Sequence, residues 1–324
     1  MAENRTDNDM RAVRIHRYGD ASELRCERTP RPELRPDDLL VRVHGAGINP
    51  ADWQFRRGDF AAYAPLQFPA TLGWDVSGVV ERVGPKTRGF SVGDAVFAMC
   101  DMSRPGAYAE LVAVQDLHVA PAPHTLPLVD AAAVPLAALT AWHALFELAD
   151  LRAGQTVLVH AGAGGVGQFA VQMAHLAGAR VLASASRSNH ALLGALGADE
   201  CVDYRDADWS SALRHRCDVV LDGAGGDTRR ASWPVLRPGG LMVAIAMPPI
   251  DPAEAASHGC RAALAHVKPD GQRLREIASR IDTGELRVSI DFRFPLDRAA
   301  DAHVRSESRH ARGKVLLTVT ARDD

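Results

Sequence analysis

The chain has 324 residues, 47% of them hydrophobic, and a formal charge of −3 from 37 basic and 40 acidic side chains; that length suits about two domains, each able to bury a core. This composition excludes an intrinsically disordered chain, and the charge balance gives no basic footprint for nucleic acid or another polyanion. Cys26, Cys100, Cys201, Cys217 and Cys260 stand far apart with no CxxC, which points to reduced thiols in a cytoplasmic protein.

The first ten residues are polar and lack an apolar core, so they read as a disordered tail and not as a targeting signal. From residue 13 to about 120, strand-like runs at 39–43, 76–83, 95–99 and 108–114 alternate with Gly, Pro and Asp turns, the pattern of a β-rich domain. The apolar stretch 131–149 is interrupted by Pro135 and His143 and ends in acids. It reads as the buried approach to a helix, with no membrane partner implied.

Beyond residue 127 the pattern changes to strands at 156–160, 180–184, 200–203, 218–222 and 241–246 with helical stretches between them. Such alternation predicts an α/β fold with a doubly wound parallel sheet, a Rossmann domain. A strand at 261–267, a helix near 272–283 and β-like runs at 288–294 and 314–320 complete the chain, the last two being candidates to rejoin the β-rich domain. The expected division is therefore 1–126, 127–267 and 268–324.

Gly162, Gly164 and Gly167 form a GxGxxG placed where the β-branched run 157–159 passes into a helical pattern of Val166, Phe169, Ala170, Met173, Ala174 and Ala177. In this setting Gly162 permits the tight turn, Gly164 lets backbone approach a pyrophosphate, and Gly167 lets the helix pack closely on the strand. Gly165 and Val166 open that helix, whose N-terminal amides favour negative charge. The alternative is a glycine-rich turn that binds nothing, and the flanking pattern argues for a dinucleotide instead.

About 20 residues after the first glycine, where an NAD site places an acid, the chain reads SASRSNH. Ser184, Ser186 and Arg187 suit a 2′-phosphate, which hydroxyls and a guanidinium can grip and a carboxylate would repel. NADPH is the expected cofactor.

The stretches GINPADWQFRRGDF from Gly47, FPATLGWDVSGVVERVG from Phe68, LTAWHAL from Leu139, HAGAGGVGQFAVQMA from His160, LGADECVDYRD from Leu196, LRPGG from Leu236 and GKVLLTV from Gly313 carry a resemblance over nearly the whole chain. Together they resemble the zinc-independent quinone oxidoreductase branch of the medium-chain dehydrogenase/reductase superfamily, which includes the zeta-crystallins. The resemblance implies a GroES-like β domain built from the N-terminal part and the C-terminal tail, with the Rossmann domain inserted and the active site in the cleft between them. It also implies a homodimer, which pairing of the 261–267 strand with its copy would form.

Zinc-bearing relatives have a ligand cysteine where this chain has Asn49 and a ligand histidine where it has Trp74, and only Cys100 remains where a four-cysteine lobe would be. No site offers the N/S ligand set that zinc requires, so no metal is expected.

By the same resemblance Asn49 lies near the nicotinamide and the substrate oxygen, although a turn residue before Pro50 is an equal reading. Asp52 is a structural partner in that loop. The relatives' tyrosine two residues past the loop glycine is Phe60 here; Tyr63 is a substitute proton donor, or simply lines a wall. Trp53 and Trp74 shape an acceptor pocket or belong to the core. Thr140 matches a position near the nicotinamide ribose, and Tyr204 one near the adenosine 2′-phosphate. Gly223 and Ala224, with Ala246 and Met247, end the fourth and fifth strands and face the ligand crevice. Phe292 and Lys314 are either nicotinamide-end contacts or a packing residue and a surface charge.

Without a metal, a hydride acceptor must give a weakly basic, delocalised oxyanion, which points to a quinone or an electron-poor enone. Two other readings stand beside it. One is an enoyl reductase acting on thioester or polyketide intermediates; the other is a non-catalytic NADPH-binding or redox-sensing protein.

Overall fold

A computed structural model describes residues 9–319 of the chain. Two compact units are present: the first runs to Leu136 and is completed by Lys268–Thr283 and the chain from Ile290 onward, and the second is Ala137–Val267 with Gly284–Ser289. The division thus falls inside the apolar helix Pro135–Trp142 and not at 127.

The return of 284–289 to the second unit has a specific cause. Gln168 and Gln172, buried on the helix Gly165–Leu176, use their amides as a strand edge would. Gln168 Nε2 donates to Ser289 O at 3.2 Å and its Oε1 accepts from Ser289 N at 2.6 Å. Gln172 repeats the pattern on Arg287, at 3.0 and 2.7 Å. Two buried amides and the segment's backbone groups satisfy one another.

The first unit contributes β1 (Asp9–Ile15), β2 (Arg25–Pro30), β3 (Asp38–Ile48), β4 (Ala70–Thr71), β5 (Asp75–Val83), β6 (Ala95–Met99), β7 (Leu111–Gln115) and β8 (Val119–Pro121). Residues 1–8 of the expected tail lie outside the described residues, but Asp9 and Met10 already belong to β1, and Met10 is buried there. The second unit contributes β9 (Thr156–Val159), β10 (Arg180–Ser184), β11 (Glu200–Val202), β12 (Cys217–Asp222), β13 (Leu236–Ala244) and β14 (Arg261–Leu264). The first unit then resumes with β15 (Ile290–Pro295) and β16 (Lys314–Thr318).

In the second unit the parallel order is β11-β10-β9-β12-β13-β14, with the direction of winding reversing between β9 and β12. All of β9 is buried, as befits a central strand covered on both faces. The first unit has a small β2-β1-β4 sheet and a larger one ordered β15-β16-β3-β5-β6-β8, with β7 also paired to β3. Here β16 runs antiparallel to β3, setting Val315 opposite Ile48, while β5 sets Asp75 opposite Gly47. Three strand ends therefore meet. The helical run Leu128–Leu148 is long and apolar enough to cross a membrane by length and composition, but 78% of its apolar window is buried inside the fold.

Candidate nucleotide and substrate site

The glycine turn is built as its spacing demands. A Cβ on Gly167 would lie 2.2 Å from Ala161 O and 2.7 Å from Gly162 Cα, so only glycine lets the helix sit this close to the end of β9. A Cβ on Gly162 would meet Leu193 and Ala183 at 3.0 and 3.1 Å. On Gly164 it would meet only Ala161 O, at 3.2 Å, which leaves that face open for a ligand. Gly164 caps a twelve-residue helix without a side-chain cap, so Gly165, Val166 and Gly167 present first-turn amides. This cradle fits a pyrophosphate.

Beneath the turn, His160 is fully buried between two hydroxyls, with Nδ1 at 2.7 Å from Ser184 Oγ and Nε2 at 2.8 Å from Ser232 Oγ. Burial lowers its pKa to about 4, so the ring is neutral at pH 7. Ser184, expected to reach a phosphate, is instead buried and committed to His160.

At the switch point Asp222 ends β12 and accepts from Ala224 N at 3.1 Å and Gly225 N at 2.8 Å through Oδ1. Its Oδ2 accepts from Arg229 Nε, and Arg229 also donates to Pro248 O and Ala246 O. Asp222 and Arg229 thus tie Ala224, Gly225, Ala246 and Pro248 into one hydrogen-bonded rim, with Gly223 and Met247 lying between these residues in the chain. The sequence reading missed Asp222 and Arg229; the signal was an acid closing an apolar strand with an arginine seven residues on.

The loops expected to take the adenosine end differ from expectation in one respect. Ser186 Oγ lies 3.2 Å from Ser188 Oγ and accepts from Asn189 Nδ2 at 3.1 Å, while Arg187 and Tyr204 are solvent-exposed. No acid follows β10, but pairing of Ser184 with Val202 brings in Asp203 from the end of β11. Its carboxylate accepts from the Arg187 backbone N at 3.2 Å and is clasped by Arg205. That guanidinium holds the Asp203 carboxyl well below the usual carboxylate range. Thr140 is buried on the helix Pro135–Trp142.

In the first unit the meeting strand ends deliver Asn49, Asp75 and Lys314, all buried. Asn49 Nδ2 donates to Asp75 Oδ2 at 2.9 Å, and Lys314 Nζ donates to the same oxygen at 2.9 Å and to Asn49 Oδ1. Asp75 Oδ1 accepts from Leu136 N at 2.6 Å. Lys314 is therefore an interior cation and not a solvated surface charge.

A second buried chain supports the Asn49 loop. Asp52 Oδ2 accepts from Asn49 N at 2.6 Å and from the Tyr108 hydroxyl at 2.8 Å. That hydroxyl lies 3.2 Å from His303 Nε2, and His303 Nδ1 lies 3.1 Å from Arg56 Nη1. Burial pushes Asp52 up to about 7, raises Tyr108 well above its ordinary value, and pushes His303 down to about 3. Tyr108, His303 and Arg56 carried no sequence signal as a group.

Aromatic rings step outward from Trp74 through Phe55 and Phe60 to Tyr63, with centroid spacings of 4.9, 4.7 and 5.6 Å. Trp74 is buried, whereas Tyr63 is 67% exposed. Trp53 belongs to the core, its indole donating to Ser306 Oγ at 3.2 Å. Phe292, on β15, is 54% exposed.

Residues 35–124 match the family of alcohol dehydrogenase GroES-like domains, and residues 196–317 match the family described as zinc-binding dehydrogenase. The chain is 34% identical to the NADPH-dependent alkenal/one oxidoreductase of Arabidopsis thaliana chloroplasts, over 95% of this chain and 79% of that protein. It is 33% identical to the 2-methylene-furan-3-one reductase of Solanum lycopersicum, over 96% and 79%. The solved quinone oxidoreductase from Coxiella burnetii superposes with a TM-score of 0.90 at 33% identity, covering 96% of this chain and all of that one. The chain belongs to the quinone oxidoreductase branch of the medium-chain dehydrogenase/reductase superfamily.

Like its relatives, this family member is an oxidoreductase that works with a nicotinamide dinucleotide and a small-molecule substrate. The second family's description mentions zinc, and the two positions where the resemblance puts zinc ligands carry Asn49 and Trp74. Asn49 offers an amide already bonded to Lys314 and Asp75, and Trp74 offers a buried indole. Among the described residues, no three His, Cys, Asp or Glu side chains are grouped as a metal would need.

Proposed function

We propose that this protein is a zinc-independent, NADPH-dependent reductase of quinones or related electron-poor enones. The observation that carries the reading is the buried Asn49, Asp75 and Lys314 cluster, standing where the metal-using pattern has a ligand. Reduction of such an acceptor places charge on a delocalised oxyanion, which pre-oriented donors and a fixed cation can stabilise without a Lewis acid.

The bound nicotinamide supplies the hydride. Lys314 holds Asn49 Oδ1, and Asp75 takes one of the two Asn49 amide hydrogens, so the amide cannot rotate. Its second hydrogen is the donor we assign to the substrate oxygen, and the closing proton comes from water or from the exposed Tyr63. The Gly162–Gly167 turn holds the pyrophosphate, and Ser186, Arg187 and Tyr204 take the 2′-phosphate.

β14 ends its sheet with one free edge, which supports a homodimer formed by pairing two copies. Five free thiols suit a reducing, cytoplasmic setting.

NADPH consumption with 1,4-benzoquinone, 9,10-phenanthrenequinone and crotonyl-CoA tests the assignment. Turnover of either quinone, undiminished by a zinc chelator, is the expected result. Preference for crotonyl-CoA would favour the thioester reading; tight NADPH binding with no turnover of any of the three would sink the reductase. A monomeric mass in light scattering would rule out the dimer.

A further inference from the structure

The adenosine corner holds a charge arrangement that a phosphate cradle alone does not require. Parallel pairing of β10 with β11 puts two loops at one carboxyl edge, where ligands bind in an open α/β sheet. One loop carries Arg187 and the other carries Asp203, Arg205 and Asp206, two cations against two anions. An acid at this edge suits the free ribose hydroxyls of NADH and repels a 2′-phosphate.

Asp203, however, has no oxygen to spare. Oδ1 accepts from Arg205 Nε at 2.9 Å and Arg205 N at 3.1 Å, and Oδ2 from Arg205 Nη2 at 2.6 Å and Arg187 N at 3.2 Å. Four donors fill the carboxylate's acceptor sites. Its side chain is 4% exposed while that of Arg205 is 58% exposed, so the cation of this pair is the member that faces solvent. The second pair is looser, with Arg187 Nη2 at 3.6 Å from Asp206 and both side chains exposed.

We propose that Arg205 sets the cofactor preference of this corner by cancelling the charge of Asp203, so that a 2′-phosphate is accepted beside an acid that would otherwise exclude it. Arg205 acts here through Asp203 and is not the phosphate ligand. The inference rests on the NADPH reading.

Calorimetric titration of the full chain with adenosine 2′,5′-bisphosphate and with 5′-AMP tests it without any turnover. Arg205→Gln leaves Asp203 uncompensated and weakens the bisphosphate about tenfold, with AMP unchanged within about twofold, the scale of one charge within a Debye length of a phosphate. Asp203→Asn shifts bisphosphate affinity the other way, and the double variant returns close to wild type.

A double variant as weak as Arg205→Gln would overturn the proposal, because Arg205 would then be gripping the phosphate itself. Equal losses for both probes in Arg205→Gln would overturn it as well. AMP binding reports that each variant is folded. If wild type binds both probes equally, the NADPH reading fails by itself, and the opposite shifts of the two single variants still judge the role of Arg205.

Discussion

In the nucleotide unit, the cradle comes from consecutive residues of one turn, shaped by glycines and neutral hydrogen bonds. In the GroES-like unit, Asn49 and Lys314 stand 265 residues apart and meet as buried, charged partners. Backbone amides carry only partial charges and need no counter-ion. An interior ammonium needs both a carboxylate and strands that hold the two together. The first arrangement is therefore local and tolerant of its surroundings, and the second fails if any one strand end moves.

The largest expected effect falls on the charged side. Lys314→Met should cost about 3–5 kcal/mol, because it strands the Asp75 carboxylate, and adding Asp75→Asn should recover much of the loss. Urea titrations read both, and an unchanged midpoint in the single variant would erase the contrast. On the backbone side, Gly167→Val should cost about 3 kcal/mol and abolish NADPH binding, because its side chain has no space beside Ala161 O. Gly164→Ala meets only one contact, at 3.2 Å, so its stability should change by less than about 1 kcal/mol while NADPH binding weakens.

Acid and base should separate the two units further. Asp52 rises from 3.8 to about 7, so the folded state holds its proton more tightly; that stability is fully present below pH 3.8 and lost as pH rises through 7. His160 falls from 6.5 to about 4, so its contribution is present above pH 6.5 and lost as pH falls through 4. His303 in the first unit falls from 6.5 to about 3, so its contribution is present above pH 6.5 and opposes that of Asp52 as pH falls from there through 3. Between pH 8 and pH 5, the cost of Asp52→Asn should grow by about 2 kcal/mol and the cost of His160→Gln should shrink by about as much. Parallel trends for the two variants would refute the assignment.

The smallest effect belongs to Tyr63→Phe. This hydroxyl is at the exposed end of the aromatic row, so stability should move by less than about 0.5 kcal/mol. Any fall in kcat would then identify Tyr63 as the proton donor, free of a folding artefact.

Much of the fold was legible. The runs at 95–99 and 180–184 match β6 and β10 residue for residue, and the other parallel strands differ only at their ends. Hydrophobic period and turn residues are local properties, which is why they survive reading one segment at a time. The recapture of 284–289 was not legible, because Gln168 and Gln172 look like polar helix residues until the helix is docked. Asp203 was overlooked because its place beside the Ser186 and Arg187 loop depends on which strand neighbours β10.

By itself, the sequence determined a GroES-like domain holding a Rossmann domain, the position of the dinucleotide turn, and the lack of zinc-ligand residue types at Asn49 and Trp74. The alternation of strands and helices and the glycine turn follow from residue type and spacing; the GroES-like assignment and the positions of the missing zinc ligands follow from the resemblance to the family. Only the tertiary structure decided that Lys314 is an interior cation, that Ser184 serves His160, and that Asp203, clasped by Arg205, reaches the backbone of Arg187. The effect of a charge depends on its burial and its partner, and both are set by chain segments brought together only on folding.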